Sequence, residues 1–277
     1  MWKKKLCLAT SDCFELSTNE QIKTFANIGF DGFFTGWQAD SPLEEWVNTA
    51  KETGMIYHSI HAPFGRSADM WGDNEESGQV ALEELLACLE DCKRWEIPIM
   101  VAHAFIGFED HTPTQIGLER FGQLVQSAEN SGVKIALENT EGEEYLFALM
   151  EEFADHPAVG FCWDSGHEMC YNHSQDLLAR FGDRLLITHL NDNLGIRDYN
   201  GKTTWIDDLH LLPFDGIADW DYNVERLKKC DFDDILTFEL TRNSKPDRHE
   251  NDLYKKMEPV EYLTEVYKRA CRIAAKF

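Results

Sequence analysis

What most restricts the fold of this chain is a strict alternation. Short apolar runs, rich in β-branched and aromatic residues, recur between longer amphipathic stretches from end to end. A short apolar run bounded by turn residues suits a buried strand, and apolar residues at helical spacing suit a helix covering it. The strand-like runs are Leu6–Thr10, Asp31–Thr35, Met55–Ile60, Ile97–Ala102, Val133–Leu137, Val159–Asp164, Leu185–Thr188 and Ile235–Phe238. Alternation of this kind leads to a parallel sheet covered by helices.

The helical stretches carry start and stop signals. Ser17 and Glu20 form a capping box for a helix that closes near Gly29. Ser41 is placed to cap a second helix, with Pro42 at its first position and Gly54 at its end. A polar loop, Arg66–Ser77, leads to a helix with Leu82, Leu85, Leu86 and Leu89 on one face. Thr112 and Gln115 form another box, for a helix ending at Gly132. A helix is expected over Glu143–Ala154, then a short one capped by Ser174 and stopped by Gly182. Asn191–Ile217 is long for a connection, which points to a functional loop. Helices then follow over Trp220–Lys229 and beyond Pro259, the last with Val260, Leu263, Tyr267, Ala270 and Ile273 on one face. Eight strands and eight helices in 277 residues, with no linker or compositional break, predict one (β/α)8 TIM barrel over residues 1–277.

The ends of the strands carry the chemistry. Four consecutive runs each finish in a metal-ligating type: Glu138, Asp164, His189 and Glu239. In a closed parallel barrel those ends share one rim. Three carboxylates on one rim repel one another unless a cation lies between them. Two Glu, one Asp and one His suit a single Mn²⁺, Mg²⁺, Co²⁺ or Zn²⁺ ion. Further candidates surround the set. His61 and His103 end the third and fourth strands, His167 follows Asp164 as D-S-G-H, and Asp208 and His210 lie in the long loop as D-L-H. Each suits either substrate contact or a local structural bond. Phe14, Trp37, Phe64 and Phe105 stand near strand ends, where they either stack on a bound substrate or pack rim loops. Trp163 points outward by alternation and belongs to the core.

Charge and cysteine usage narrow the class. The formal net charge of -24 argues against a nucleic-acid surface, which needs a basic face. No run reaches the roughly 18 apolar residues of a membrane span. The N-terminal segment has no apolar core long enough for a signal peptide. The eight cysteines contain no C-x-x-C and read as free, mostly buried thiols of a cytoplasmic protein. Cys88 and Cys92 fall one helical turn apart.

The segments I-A-L-E-N, D-S-G-H, T-H-L-N-D-N, D-L-H-L-L-P-F-D-G-I-A-D-W and F-E-L resemble the xylose-isomerase-like TIM-barrel superfamily. That group joins sugar and sugar-phosphate isomerases and epimerases, inosose dehydratases and AP-endonuclease-type phosphodiesterases. The resemblance runs from H-A-P at 61–63 to Glu239. It implies one divalent metal on Glu138, Asp164, His189 and Glu239, with Glu138 and Glu239 as an acid/base pair and no organic cofactor. It implies substrate contact for His167, and Arg197 is the nearest match to an arginine that contacts substrate in the ketose epimerases. A small sugar or polyol substrate and a dimer or tetramer are further implications. An inosose-dehydratase-like lyase would begin with the same deprotonation. The AP-endonuclease-type members imply a different chemistry, phosphoester hydrolysis by a three-zinc cluster, with His61, His103, His167, Asp208 and His210 as extra ligands. A non-catalytic sugar-binding barrel is the remaining alternative.

Overall fold

The computed structural model describes residues 4–109, 112–196 and 202–277. Eight parallel strands are present: β1 (Leu6–Ala9), β2 (Gly32–Gly36), β3 (Ile56–His61), β4 (Ile99–His103), β5 (Lys134–Glu138), β6 (Val159–Asp164), β7 (Leu185–His189) and β8 (Leu236–Phe238). From β2 to β7 each strand neighbours its predecessor in the sheet, and β1 also pairs with β8. The ring is nearly closed: just past β7, Leu190 bridges to Phe238 in parallel, and its N–H donates to Thr237 O at 2.8 Å. The expected TIM barrel is therefore the fold of this chain.

The surrounding α-helices are α1 (Thr18–Ile28), α2 (Leu43–Thr53), α3 (Glu75–Arg94), α4 (Gln115–Ser131), α5 (Glu143–Glu152), α6 (Ser165–Cys170), α7 (Leu177–Phe181), α8 (Trp220–Lys229) and α9 (Pro259–Ala274). The main apolar core lies between strands and helices and holds Phe25, Leu85, Phe121, Trp163 and Leu263. Trp163 is fully buried there, as alternation predicts. Inside the barrel, Ile99, Val101, Ala136, Cys162 and Ile187 form the floor on one side. Cys7, Ala9, Phe34 and Ile235 form it on the other. Cys88 and Cys92 are both buried on the inner face of α3.

Several local expectations change. The Ser17–Glu20 box is present and opens α1. Ser41 does not cap α2, because its hydroxyl accepts instead from Gln38 N–H and Pro42 takes the cap position. Helix α4 is capped by Thr114 rather than by Thr112, and Thr114 also donates to Trp71 O. Ser174 caps nothing, and Asp176 caps α7. The polar loop contains a 3-10 turn, Ser67–Trp71, whose carbonyls Arg120 gathers. D-S-G-H opens α6, with Asp164 as its N-cap.

Candidate metal centre

The C-terminal ends of β5 to β8 bring the strand-end residues to one point. Ligand atoms of Glu138, Asp164, His189 and Glu239 all lie within 4.8 Å of one another. Glu138 Oε1 is 2.9 Å from His189 Nδ1, and Glu239 Oε2 is 3.1 Å from the same nitrogen. Glu138, Asp164 and His189 are fully buried, whereas the Glu239 side chain keeps 27% of its surface open.

Asp164 is held on both oxygens. One accepts from His167 N–H at 2.7 Å and so caps α6, and the other accepts from the Asn191 amide at 2.8 Å. The glycine of D-S-G-H has its reason here. A Cβ on Gly166 would come within 1.9 Å of Asn191 Oδ1, so only glycine lets Asn191 reach the aspartate. Asn139, next to Glu138, bonds the backbone of Asp164 in both directions.

The remaining candidates form a collar. His61 Nε2 and His103 Nε2 face Glu138 Oε2 at 3.1 and 3.3 Å. His167 Nε2 and His210 Nε2 face Asp208 Oδ1 at 3.4 and 3.0 Å. Three of these imidazoles share one orientation. His61, His167 and His210 place Nδ1 2.9, 3.0 and 3.1 Å from the carbonyls of Ala62, Asn139 and Glu239. A carbonyl only accepts, so each Nδ1 carries a proton and each Nε2 turns inward, free to take a second proton or a metal ion. This is how metal-ligating histidines are held. A lone pair facing a carboxylate is repulsive unless a proton or a metal ion lies between.

The electrostatics repeat that point. Burial would raise Glu138, yet His189, His103 and His61 hold it well below the ordinary carboxylate range. Burial pushes Asp164 up to about 6, against the pull of His167 and His210. Burial also acts against Glu239, which His189 holds near about 2. Burial disfavours charge on His189, but Cys162, Glu138 and Glu239 raise it well above the usual imidazole value. His167 rises in the same way beside Asp164 and Asp208, and His210, despite its burial, reaches about 9 beside Asp208. In effect protonated imidazoles supply the positive charge that the carboxylates require. Three carboxylates and one imidazole fit a divalent cation at the Glu138/Asp164/His189/Glu239 point. Two further groups, His61/His103/Glu138 and Asp164/His167/His210, also have ligand atoms within 4.8 Å.

A cavity of about 300 Å³ opens onto these residues. Phe64 and Trp205 stand on its rim, with Ile106, Tyr171, Glu141 and Lys245 completing the wall. Phe64 stacks on His103 at 4.5 Å, and Lys245 lies 3.6 Å from Asp208. Glu141, Ile106, Tyr171, Trp205 and Lys245 carried no periodic or motif signal in the sequence, because their place in the wall depends on loop paths. A larger cleft of about 720 Å³ lies in the outer layer between α7 and α8, away from this constellation.

Not every expected contact is present. Phe14 is fully buried and packs on Phe25 and Tyr262, so it belongs to the core between α1 and α9 instead of the cavity. Trp37 lies in a separate groove at the ends of β1 and β2, with its indole N–H bonded to Asp91 at 2.8 Å. Phe105 stacks on Tyr145. Arg197 falls outside the described residues.

Comparison with known proteins agrees with the geometry. A family model for the xylose isomerase-like TIM barrel matches residues 22–258. The protein y4fM of Sinorhizobium fredii is 36% identical over 234 residues, covering 73% of this chain and 71% of y4fM. A probable endonuclease 4 of Cenarchaeum symbiosum is 25% identical over 190 residues, 57% of this chain and 65% of that protein. Among solved structures, the IolI protein with a bound zinc atom superposes with a TM-score of 0.74 at 20% identity, over 99% of each chain. The 3-keto-D-glucoside 4-epimerase YcjR from E. coli superposes with a TM-score of 0.70 at 18% identity, over 96% of this chain and 99% of its own.

Proposed function

The chain belongs to the xylose isomerase-like TIM-barrel family, and from that membership we propose that it is a divalent-metal-dependent isomerase or epimerase of a small sugar or polyol. The observation that carries the reading is the meeting of Glu138, Asp164, His189 and Glu239 within 4.8 Å at the foot of a small open cavity. These four residues would hold the ion. When bound, the ion supplies a Lewis acid for the substrate oxygens beside the reacting carbon.

The chain's own groups do the rest. Glu138 and Glu239 serve as the acid/base pair that takes a proton from the carbon next to a carbonyl and returns one. Glu239, partly open to the cavity, reaches the substrate most directly. His167, His210 and Asp208 orient hydroxyl groups on the adjoining wall. Phe64, Trp205 and Tyr171 offer apolar faces to the sugar ring and limit water. A cavity of about 300 Å³ is at the small end for ligand sites, in keeping with one monosaccharide-sized molecule. Incubating candidate ketoses and inososes with metal-loaded protein in D₂O tests the reading. Deuterium at the carbon beside the carbonyl supports it, with an epimer or a dehydrated product telling isomerase from lyase. A full panel without exchange overturns it.

A second reading is favoured by a specific observation. The two flanking groups, His61/His103/Glu138 and Asp164/His167/His210, could hold additional ions, with Asp208 between the latter two histidines. Two or three zinc ions in one pocket would suit phosphoester hydrolysis. Elemental analysis of untagged protein separates the readings: about one ion per chain supports the first, and two or three turn attention to small phosphodiesters.

A further inference from the structure

Among the described residues, five histidines surround the metal centre, and they are not held alike. His61, His167 and His210 present Nε2 to the pocket and fix Nδ1 on a backbone carbonyl. His189 is reversed. Its Nδ1 faces the two glutamates, at 2.9 and 3.1 Å. Its Nε2 is therefore turned to the barrel interior, where it is buried and has no hydrogen-bond partner. The ring face lies flat on Phe34, with centroids 4.7 Å apart and planes 4° apart. Cys162 is two residues before Asp164 on β6, so it points into the barrel one layer below the centre. It is fully buried, and its sulfur lies within 4.8 Å of the ligand atoms of Glu138 and His189.

A histidine that gives its Nδ1 lone pair to a metal must keep its proton on Nε2. That N–H needs an acceptor, and a buried donor without one costs about 1–3 kcal/mol. Ile187, Ala136 and Val101, the interior neighbours of Cys162, offer no side-chain acceptor. A thiol sulfur is a weak acceptor, and that of Cys162 lies within 4.8 Å of the ligand atom of His189. We propose that Cys162 is a positioning residue, whose sulfur accepts the Nε2 proton of His189 and so holds the ring in the tautomer that turns Nδ1 toward the metal centre. The thiol stays protonated and outside the coordination sphere. It does for His189 what the carbonyls of Ala62, Asn139 and Glu239 do for the other three rings. The inference rests on the metal-centre reading above.

The test uses the full chain with Cys162→Ala, Cys162→Val and Cys162→Ser. Three quantities are read: the tautomer of His189 in Zn²⁺-loaded protein and the exchange of its Nε2 proton in metal-free protein, both from ¹⁵N-histidine NMR, and the Zn²⁺ and Mn²⁺ dissociation constants from chelator competition. Loss of an outer partner of a ligating histidine weakens metal binding by about 10–100-fold. That loss is expected for Ala and Val, together with faster exchange of the His189 Nε2 proton in the metal-free form. Ser, which keeps an acceptor, is expected to recover the slower exchange and to bind within about three-fold of wild type. Val keeps the volume of the floor, so it guards against a cavity defect in the Ala variant. Unchanged proton exchange and affinity in Ala and Val would overturn the proposal. So would a thiolate-to-metal absorption band in the Co²⁺ protein, since that would make Cys162 a ligand. If wild type binds no divalent ion, the metal reading fails instead, and exchange of the Nε2 proton in the metal-free protein still decides the role of Cys162.

Discussion

Oε1 of Glu138 lies 2.9 Å from Nδ1 of His189, across β5 and β7, with neither side chain exposed to solvent. The other oxygen of Glu138 meets His61 and His103. One carboxylate thus answers three imidazoles. Glu138→Gln removes that charge while keeping the shape, and breaking a buried charged set on one side costs about 3–5 kcal/mol. The metal-free variant should fold but unfold at lower urea concentration, bind divalent metal poorly and show no turnover. Chemical denaturation and metal titration check this, and near-normal metal affinity would remove Glu138 from the centre.

Glu239 differs in being open to the cavity and in lying at the end of the pocket wall. Its replacement by Gln should leave stability within about 1 kcal/mol, the range of a partly exposed ion pair. Turnover should fall by about 10²–10⁴-fold, the usual contribution of a general acid or base. Comparing kcat with the unfolding midpoint separates the two effects. Retained activity would assign the proton transfer elsewhere.

Asp164 gives a pH signature. Burial raises its carboxyl to about 6, above the roughly 3.9 of an unfolded Asp. The folded chain then binds that proton more tightly than the unfolded one. Its contribution to stability is present below about pH 4 and is lost as pH rises through about 6, by about 3 kcal/mol. Glu138 and Glu239, with lowered values, act in the opposite sense: their contribution is full above the unfolded value of about 4.3 and is lost as pH falls from there through their folded values. Without metal, Asp164→Asn should therefore gain on wild type between pH 4 and pH 7, measured by urea unfolding at each pH. With saturating metal wild type should be the more stable form. A pH-independent difference would place the carboxylate's proton elsewhere in the cluster.

Asp192 fastens the long β7–α8 connection. It is fully buried and accepts from Asn193, Phe214 and Ala218 N–H and from the Trp220 indole at 2.8–3.0 Å. Hydrogen bonds to a charged group contribute about 1.5–3 kcal/mol each. Asp192→Ala should lose at least about 3 kcal/mol and speed amide exchange from Leu211 to Trp220. Gly216→Ala should do likewise, since its Cβ would stand 2.1 Å from Asp192 Oδ1 and 2.3 Å from Asn193 O. Unchanged exchange in both variants would show that the loop is held by other contacts.

The strand and helix alternation, the barrel and the four strand-end residues could all be read from the chain. Side-chain direction repeats every two residues in a strand, and strand ends in a closed barrel share one rim. The collar of His61, His103, His167, Asp208 and His210 was legible as candidates for the same reason, although their joint position was not. Local signals failed where a tertiary partner outbid them. The hydroxyl of Ser41 was taken by Gln38, Tyr262 covered Phe14, and Asn191 set the need for Gly166. Trp205 and Lys245 reached the wall through loop paths that no periodicity encodes. The sequence by itself determined the architecture and the chemical types at its mouth, because both follow from short-range patterns. Only the tertiary structure decided which nitrogen of each histidine faces inward, that Glu138 serves three of them, and that a thiol lies beneath His189. Those relations depend on closure of the ring, which sets residues from β3 to β8 within a few ångströms of one another.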